Sequence, residues 1–175
     1  MKKLTLTFFL TIIFFFFAVT TSVFAKNSSL SATIIDTNPA RPVLVLTNTS
    51  NTACQVVNSA LGTVSVSRMQ QDTKEISPLP FNAVFDDGLE EFLTRKLQTL
   101  NPGDKVEIPL LVAPYESGQA LQSVTWSKQT GAFAMMYPFD SSKPYLLTVT
   151  YCSPITAKDG ALFCSMFSAM NGNSV

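Results

Sequence analysis

RPVLVLTNTSNTACQVV, residues 41 to 57, decides the fold class. Pro42 can open a strand but has no N–H to donate inside a sheet. Val43, Leu44, Val45 and Leu46 follow as an unbroken, partly β-branched apolar run. Thr47 to Thr52 is a polar corner, and Cys54, Val56 and Val57 restart an apolar pattern beyond it. The pattern predicts a buried strand, a turn and a second strand. Successive strand residues point to opposite faces. A strand apolar at every position therefore needs cover on both sides, which implies a second layer.

Outward from this stretch, short strands with turn signals continue in both directions. Ala32–Ile35 precedes it, stopped by Asp36, Asn38 and Pro39. Leu61–Met69 alternates, with Val64 and Val66 on one side and Thr63, Ser65 and Ser67 on the other, which is the period of a half-buried antiparallel strand. Pro78 to Phe85 holds two prolines and reads as an edge or connector. Asp86–Leu97 is the helix candidate. Asp86 or Asp87 can cap it, Leu89, Phe92, Leu93 and Leu97 recur at helical spacing, and acids lead while bases trail, as the helix dipole favours. Asn101-Pro102-Gly103-Asp104 is a turn. Lys105–Val112, Leu121–Trp126, Gly131–Tyr137 and Tyr145–Tyr151 read as strands, with Pro114–Gln119 as loop and Ala161–Phe167 as a returning hairpin partner. Asn171–Val175 is a polar tail. Seven to nine short strands with one short helix in a connection describe a mainly β, antiparallel sandwich.

Three segments carry a resemblance: VLVLTNTSN (43–51), LNPGDKVEIPL (100–110) and YLLTVTYC (145–152). Together they resemble bacterial exported immunoglobulin-like domains of unassigned role. The resemblance implies an immunoglobulin-like β-sandwich and carries no functional residues across. Antibody-type domains place a tryptophan on the strand after the first cysteine; here the single tryptophan, Trp126, lies far downstream.

The first 25 residues stand apart. Lys2 and Lys3 precede the apolar, phenylalanine-rich Leu4–Val19, and Val23-Phe24-Ala25 offers small residues where a signal peptidase reads. This is the layout of a secretory signal peptide over residues 1–25; the rival reading, an uncleaved membrane anchor, is disfavoured because the apolar core is nearer an h-region in length than the roughly 20 residues of a span. Residues 26–175 then form one exported domain, secreted or periplasmic, with no membrane span after cleavage. The chain has 12 Lys+Arg and 12 Asp+Glu; without Lys2 and Lys3 the balance is 10 against 12, or −2. Nucleic-acid binding needs a clustered basic face, so no nucleic-acid partner is expected. Of the three cysteines, Cys152 and Cys164 flank a short loop and are the favoured disulfide in an oxidising compartment. Cys54 with either partner is the alternative, since spacing does not fix connectivity.

The chain has no histidine. That removes the serine–histidine and cysteine–histidine nucleophile systems and the imidazole-based zinc, copper and iron sites. No Ser-x-x-Lys spacing and no glycine-rich phosphate loop occurs. Neither a catalytic residue nor a cofactor or metal site is expected. The acids of DDGLEE, Asp86, Asp87, Glu90 and Glu91, are explained as the first turn of the helix rather than as a calcium or glycosidase pair. Asn48-Thr49-Ser50 and Asn27-Ser28-Ser29 match the glycosylation acceptor pattern. Phe133, Met135, Met136, Tyr137 and Phe139 form a soft apolar run. It reads either as a patch for an unidentified protein partner, where methionine and aromatics are common, or as core strand. The expected function is a non-enzymatic binding module or a component of a surface or periplasmic assembly. The surfaces at hand are Asn48–Thr52, Tyr115–Gln119, Pro138–Lys143 and the 133–139 run. The alternatives are a protease inhibitor on the same scaffold and a small hydrolase working through carboxylates.

Overall fold

A computed structural model describes residues 30–82 and 88–155 and the backbone of 167–170. The leader, Asp86 and Asp87, Cys164, Asn27 and the tail lie outside the described residues. So does the Cys152–Cys164 pairing; within them, Cys152 is exposed and Cys54 is buried.

The protein is mainly β. In chain order the strands are β1 (Leu30–Ile35), β2 (Val43–Asn48), β3 (Cys54–Val57), β4 (Val64–Gln71), β5 (Lys74–Glu75) and β6 (Leu79–Pro80). After the helix α1 (Leu89–Arg95) come β7 (Leu97–Leu100), β8 (Lys105–Pro109), β9 (Leu111–Tyr115), β10 (Gly118–Ser127), β11 (Gly131–Phe139), β12 (Tyr145–Tyr151) and β13 (Phe167–Met170). They pair antiparallel in four sheets, ordered β1-β2-β8, β6-β11-β10-β9, β13-β12-β4-β5 and β3-β7. One apolar cluster joins all four. It includes Leu44 and Leu46 of β2, Val56 of β3, Val64 and Met69 of β4, Leu100 of β7, Ile108 of β8, Leu121 of β10, Tyr137 of β11, and Leu147 and Val149 of β12. Strand β12 shows the underlying period: Tyr145, Leu147, Val149 and Tyr151 are buried and the residues between them half-buried. In β2, Leu44, Val45 and Leu46 are all buried, as the unbroken apolar run requires.

Polar side chains stitch the sheets where the backbone leaves its ladders. Strand β4 slips register against β12 between Thr148 and Val149, an irregularity of the kind that frees backbone groups. Val66, at that point, gives its N–H to Ser123 Oγ (3.1 Å) and accepts from Tyr137 Oη (3.1 Å), both from the β10–β11 hairpin. Tyr151 does the same for β3: Val57 N–H donates to its hydroxyl oxygen (2.8 Å), and its O–H donates to Val57 O (3.2 Å). Asn48, 1 % exposed, closes the polar corner. Its Nδ2 donates to Thr52 O (2.8 Å) and Leu100 O (2.9 Å), and its Oδ1 accepts from Ser50 N–H (3.0 Å) and Ser50 Oγ (2.7 Å). A side chain so enclosed is inaccessible for glycosylation in the folded protein.

Three expectations are corrected. The helix starts after Gly88 and stops at Arg95, with no side-chain cap among the described residues. Leu97, counted on its apolar face, instead opens β7 and pairs with Val57, because antiparallel pairing captures a residue whose spacing also suits a helix. Gly62, at φ +82°, lets α1 come close: a Cβ there would stand 3.1 Å from Leu93 Cδ1. Lys105–Val112, read as one strand, is two. Leu110 N–H bonds Pro42 O (2.9 Å) and the chain there leaves the β2 sheet for the β10 sheet. Pro114–Gln119, read as loop, is mostly strand, with only Glu116 and Ser117 between β9 and β10. The returning partner of β12 is β13; of the expected Ala161–Phe167 only Phe167 lies among the described residues.

Strands β8 and β9 are outer strands of their sheets among the described residues. In β8 the even-numbered residues face β2, as the Leu110 and Asp104 bonds show. Pro109 therefore turns its missing N–H outward. Pro114 occupies the outer strand β9, and such edge positions are where a sheet tolerates proline.

Candidate functional site

The residues that bend the backbone hardest gather at one end. Asp72 (φ 50°) and Thr73 (φ 63°) form the two-residue turn between β4 and β5, and Glu116 (φ 47°) begins the β9–β10 turn. Two adjacent positive φ values match the twist of a tight hairpin, although residues with a Cβ pay about 1–2 kcal/mol for that conformation. Gln71 ties in a third loop with its amide. Its Oε1 accepts from Asp140 N–H (3.0 Å), and its Nε2 donates to Asp140 O (2.8 Å), as a neighbouring strand would. Asp140 Oδ1 accepts from Ser142 N–H (3.0 Å) and Oγ (2.6 Å). Those Ser142 bonds hold its carboxyl below the usual carboxylate range. Lys143 meets Asp72 at 3.0 Å, which raises the lysine's pKa. Both partners are exposed, so the pair adds little stability.

Two of the expected recognition loops, Tyr115–Gln119 and Pro138–Lys143, are thus brought together. With Gln71 they line a shallow polar depression of about 410 Å³. Glu116 raises the pKa of Tyr115 beside it. The third loop, Asn48–Thr52, is knit to Leu100 instead. Of the 133–139 run, Tyr137 and Phe139 are buried in the core, and Phe139 meets Tyr145 edge-on with ring centroids 5.2 Å apart. Met135 packs against that core and Met136 is half-buried. Phe133 is 63 % exposed. The acids of α1 are engaged elsewhere: Glu91 pairs with Arg95 (2.7 Å) and Glu90 with Lys128 (3.4 Å).

A second concavity, about 600 Å³, lies where the chain changes sheets. Val43, Pro109, Leu110, Val112, Ala113 and Pro114 give it apolar walls, and Arg41 and Gln119 are its large polar residues. Gln119 lines both concavities, so they adjoin. The local sequence explains the placement of Arg41. Asn38-Pro39 begins a turn in which Arg41 N–H donates to Asn38 O (2.8 Å) and Ala40 N–H to Asn38 Oδ1 (3.1 Å), the side-chain mimicry typical of asparagine in turns. Gln119 ends one of the expected recognition loops, but its pairing with Arg41 was not foreseen: a lone arginine before a proline carries no pattern, and the crossing at Leu110 brings the two to one cleft.

Tyr145 donates its O–H to Pro39 O (3.2 Å) and so braces the same turn. Burial, and then the charge of Asp36, push its pKa from the ordinary 10.0 up to about 12. The folded state thus favours the neutral phenol, a stabilisation complete below pH 10 and lost as pH rises from 10 towards 12. Urea midpoints measured across that window are expected to fall in the native protein and to fall less steeply in Tyr145→Phe. Tyr137, raised by burial, accounts for part of the slope that remains. Equal slopes in the two proteins would refute this assignment.

No protein-family model, no curated protein and no solved structure matches this chain. No described helix is long and apolar enough to cross a membrane.

Proposed function

We propose that this chain is an exported, immunoglobulin-like β-sandwich that works by binding a protein partner, as a recognition module or a component of a surface or periplasmic assembly. Export rests on the signal layout of residues 1–25, and the sandwich on the antiparallel sheets sharing one core. The observation that carries a binding role is Phe133. It leaves 63 % of a large aromatic surface in solvent, on a strand whose neighbouring aromatics are core, and aromatic anchors dominate protein recognition. The absence of histidine from the sequence argues against ordinary acid–base catalysis.

The test is affinity capture from the exported fraction of the source cells, with the native protein and Phe133→Ser as parallel baits. An exposed side chain costs little stability to replace, within about 0.5 kcal/mol, so matching melting curves are expected. The proposal predicts a partner retained by the native bait and reduced at least tenfold by Phe133→Ser. Equal recovery on both baits would remove Phe133 from the interface, and turnover of a substrate by the purified protein would remove the non-enzymatic reading.

A further inference from the structure

We propose that the 600 Å³ cleft at the sheet crossing binds the C-terminal end of an extended peptide with an apolar last residue, its carboxylate held by Arg41. This rests on the reading of the chain as a binding module and names a ligand class for it. Three observations meet here. The volume lies within the roughly 300–1,000 Å³ of ligand pockets. Among the lining residues Arg41 is the only charged one, and none is acidic. Arg41 is in no ion pair among the described residues, and guanidinium is the group best matched to a carboxylate, through two parallel N–H···O bonds. Among the described residues, Gln119 Oε1 is buried without a hydrogen-bond partner, a state that costs about 1–3 kcal/mol and that turning the amide onto an N–H donor of a ligand would relieve.

Each feature selects a piece of the ligand. The cation calls for an anion. The walls of Val43, Leu110, Val112, Pro109 and Pro114 call for an aliphatic side chain. The orphaned oxygen calls for a donor beside them. A peptide's final residue presents all three, with carboxylate, side chain and amide N–H attached to one Cα. A simple aliphatic carboxylate lacks the donor.

The experiment is an amide NMR titration of the exported protein with three probes: acetyl-Ala-Val-Leu with a free carboxylate, the same peptide as its C-terminal amide, and hexanoate. Shifts centred on Leu110, Ala113 and Gln119 are expected with the free acid, at least tenfold weaker binding with the amide, and at least tenfold weaker binding with hexanoate. Arg41→Gln should weaken the acid at least tenfold and leave the amide unchanged. Gln119→Leu should weaken the acid and leave hexanoate unchanged. Arg41 is exposed, and an unperturbed spectrum away from the cleft confirms that a variant has folded. Equal binding of acid and amide, equal binding of hexanoate, shifts confined to another face, or no shifts at millimolar peptide would each overturn the proposal. Phe133→Ser should titrate like the native protein. Loss of partner capture by that variant and failure of the peptide titration are therefore separate results.

Discussion

Asn48→Ala is expected to lower the free energy of unfolding by about 3 kcal/mol, with an unchanged denaturant slope. Two carbonyls, Thr52 O and Leu100 O, lose a donor, and Ser50 N–H and Oγ lose their acceptor. Stranding buried groups costs about 1–3 kcal/mol each. Ser50 Oγ has one hydrogen and can turn it from the lost Asn48 Oδ1 to Thr52 O (2.7 Å), so these two groups rescue each other and the sum stays below the maximum. The residue also joins distant parts of the chain, since Leu100 ends β7 while Asn48 ends β2. Asn48→Asp keeps the shape and the acceptor but turns a negative oxygen towards two carbonyls, so it should be no better tolerated than alanine. A urea midpoint unmoved by Asn48→Ala would show that the corner is held by its backbone bonds alone, Asn48 N–H to Asp104 O and Gly103 N–H to Asn48 O.

Leu46→Ala is expected to cost about 2–5 kcal/mol, the range for a buried leucine whose cavity cannot collapse. Leu46 is fully buried in the middle strand of its sheet, opposite Ala32 on one side and Val106 on the other. Both neighbours are tied by ladder bonds and have little freedom to fill the space. Leu46→Met, which nearly conserves volume, should cost less than about 1.5 kcal/mol. Paired denaturation curves decide the matter. Equal losses for the two variants would mean that side-chain shape, not volume, governs this layer.

The fold class was readable because alternation survives averaging over a strand. Tyr145–Tyr151 shows it in the sequence and in the burial of alternate residues, and the Asn101–Asp104 turn closes as composition suggests, with Gly103 at φ +84° and Asp104 N–H on Asn101 O (3.0 Å). What sequence did not show was where one strand becomes two. Lys105–Tyr115 carries no break stronger than Pro109, and the crossing at Leu110 depends on a hydrogen bond to Pro42, residues distant in sequence. The cleft inherits that obscurity, because its walls come from three separate stretches of chain, 40–43, 109–114 and Gln119. In the 133–139 run the same residue types serve opposite ends: Phe139 fills the core and Phe133 faces water. Composition cannot separate them, since exposure depends on how far the opposite sheet extends.

The prolines of the outer strands β8 and β9 bear on how this protein behaves when crowded. An outer strand with every donor intact is a template on which another chain can lengthen the sheet. Pro109 and Pro114 interrupt that row on both strands that flank the crossing. Concentrated solutions should therefore resist end-on growth of fibrillar stacks along these margins. For the same reason, whatever settles in the neighbouring cleft must be gripped by side chains at its tip rather than zipped along its length.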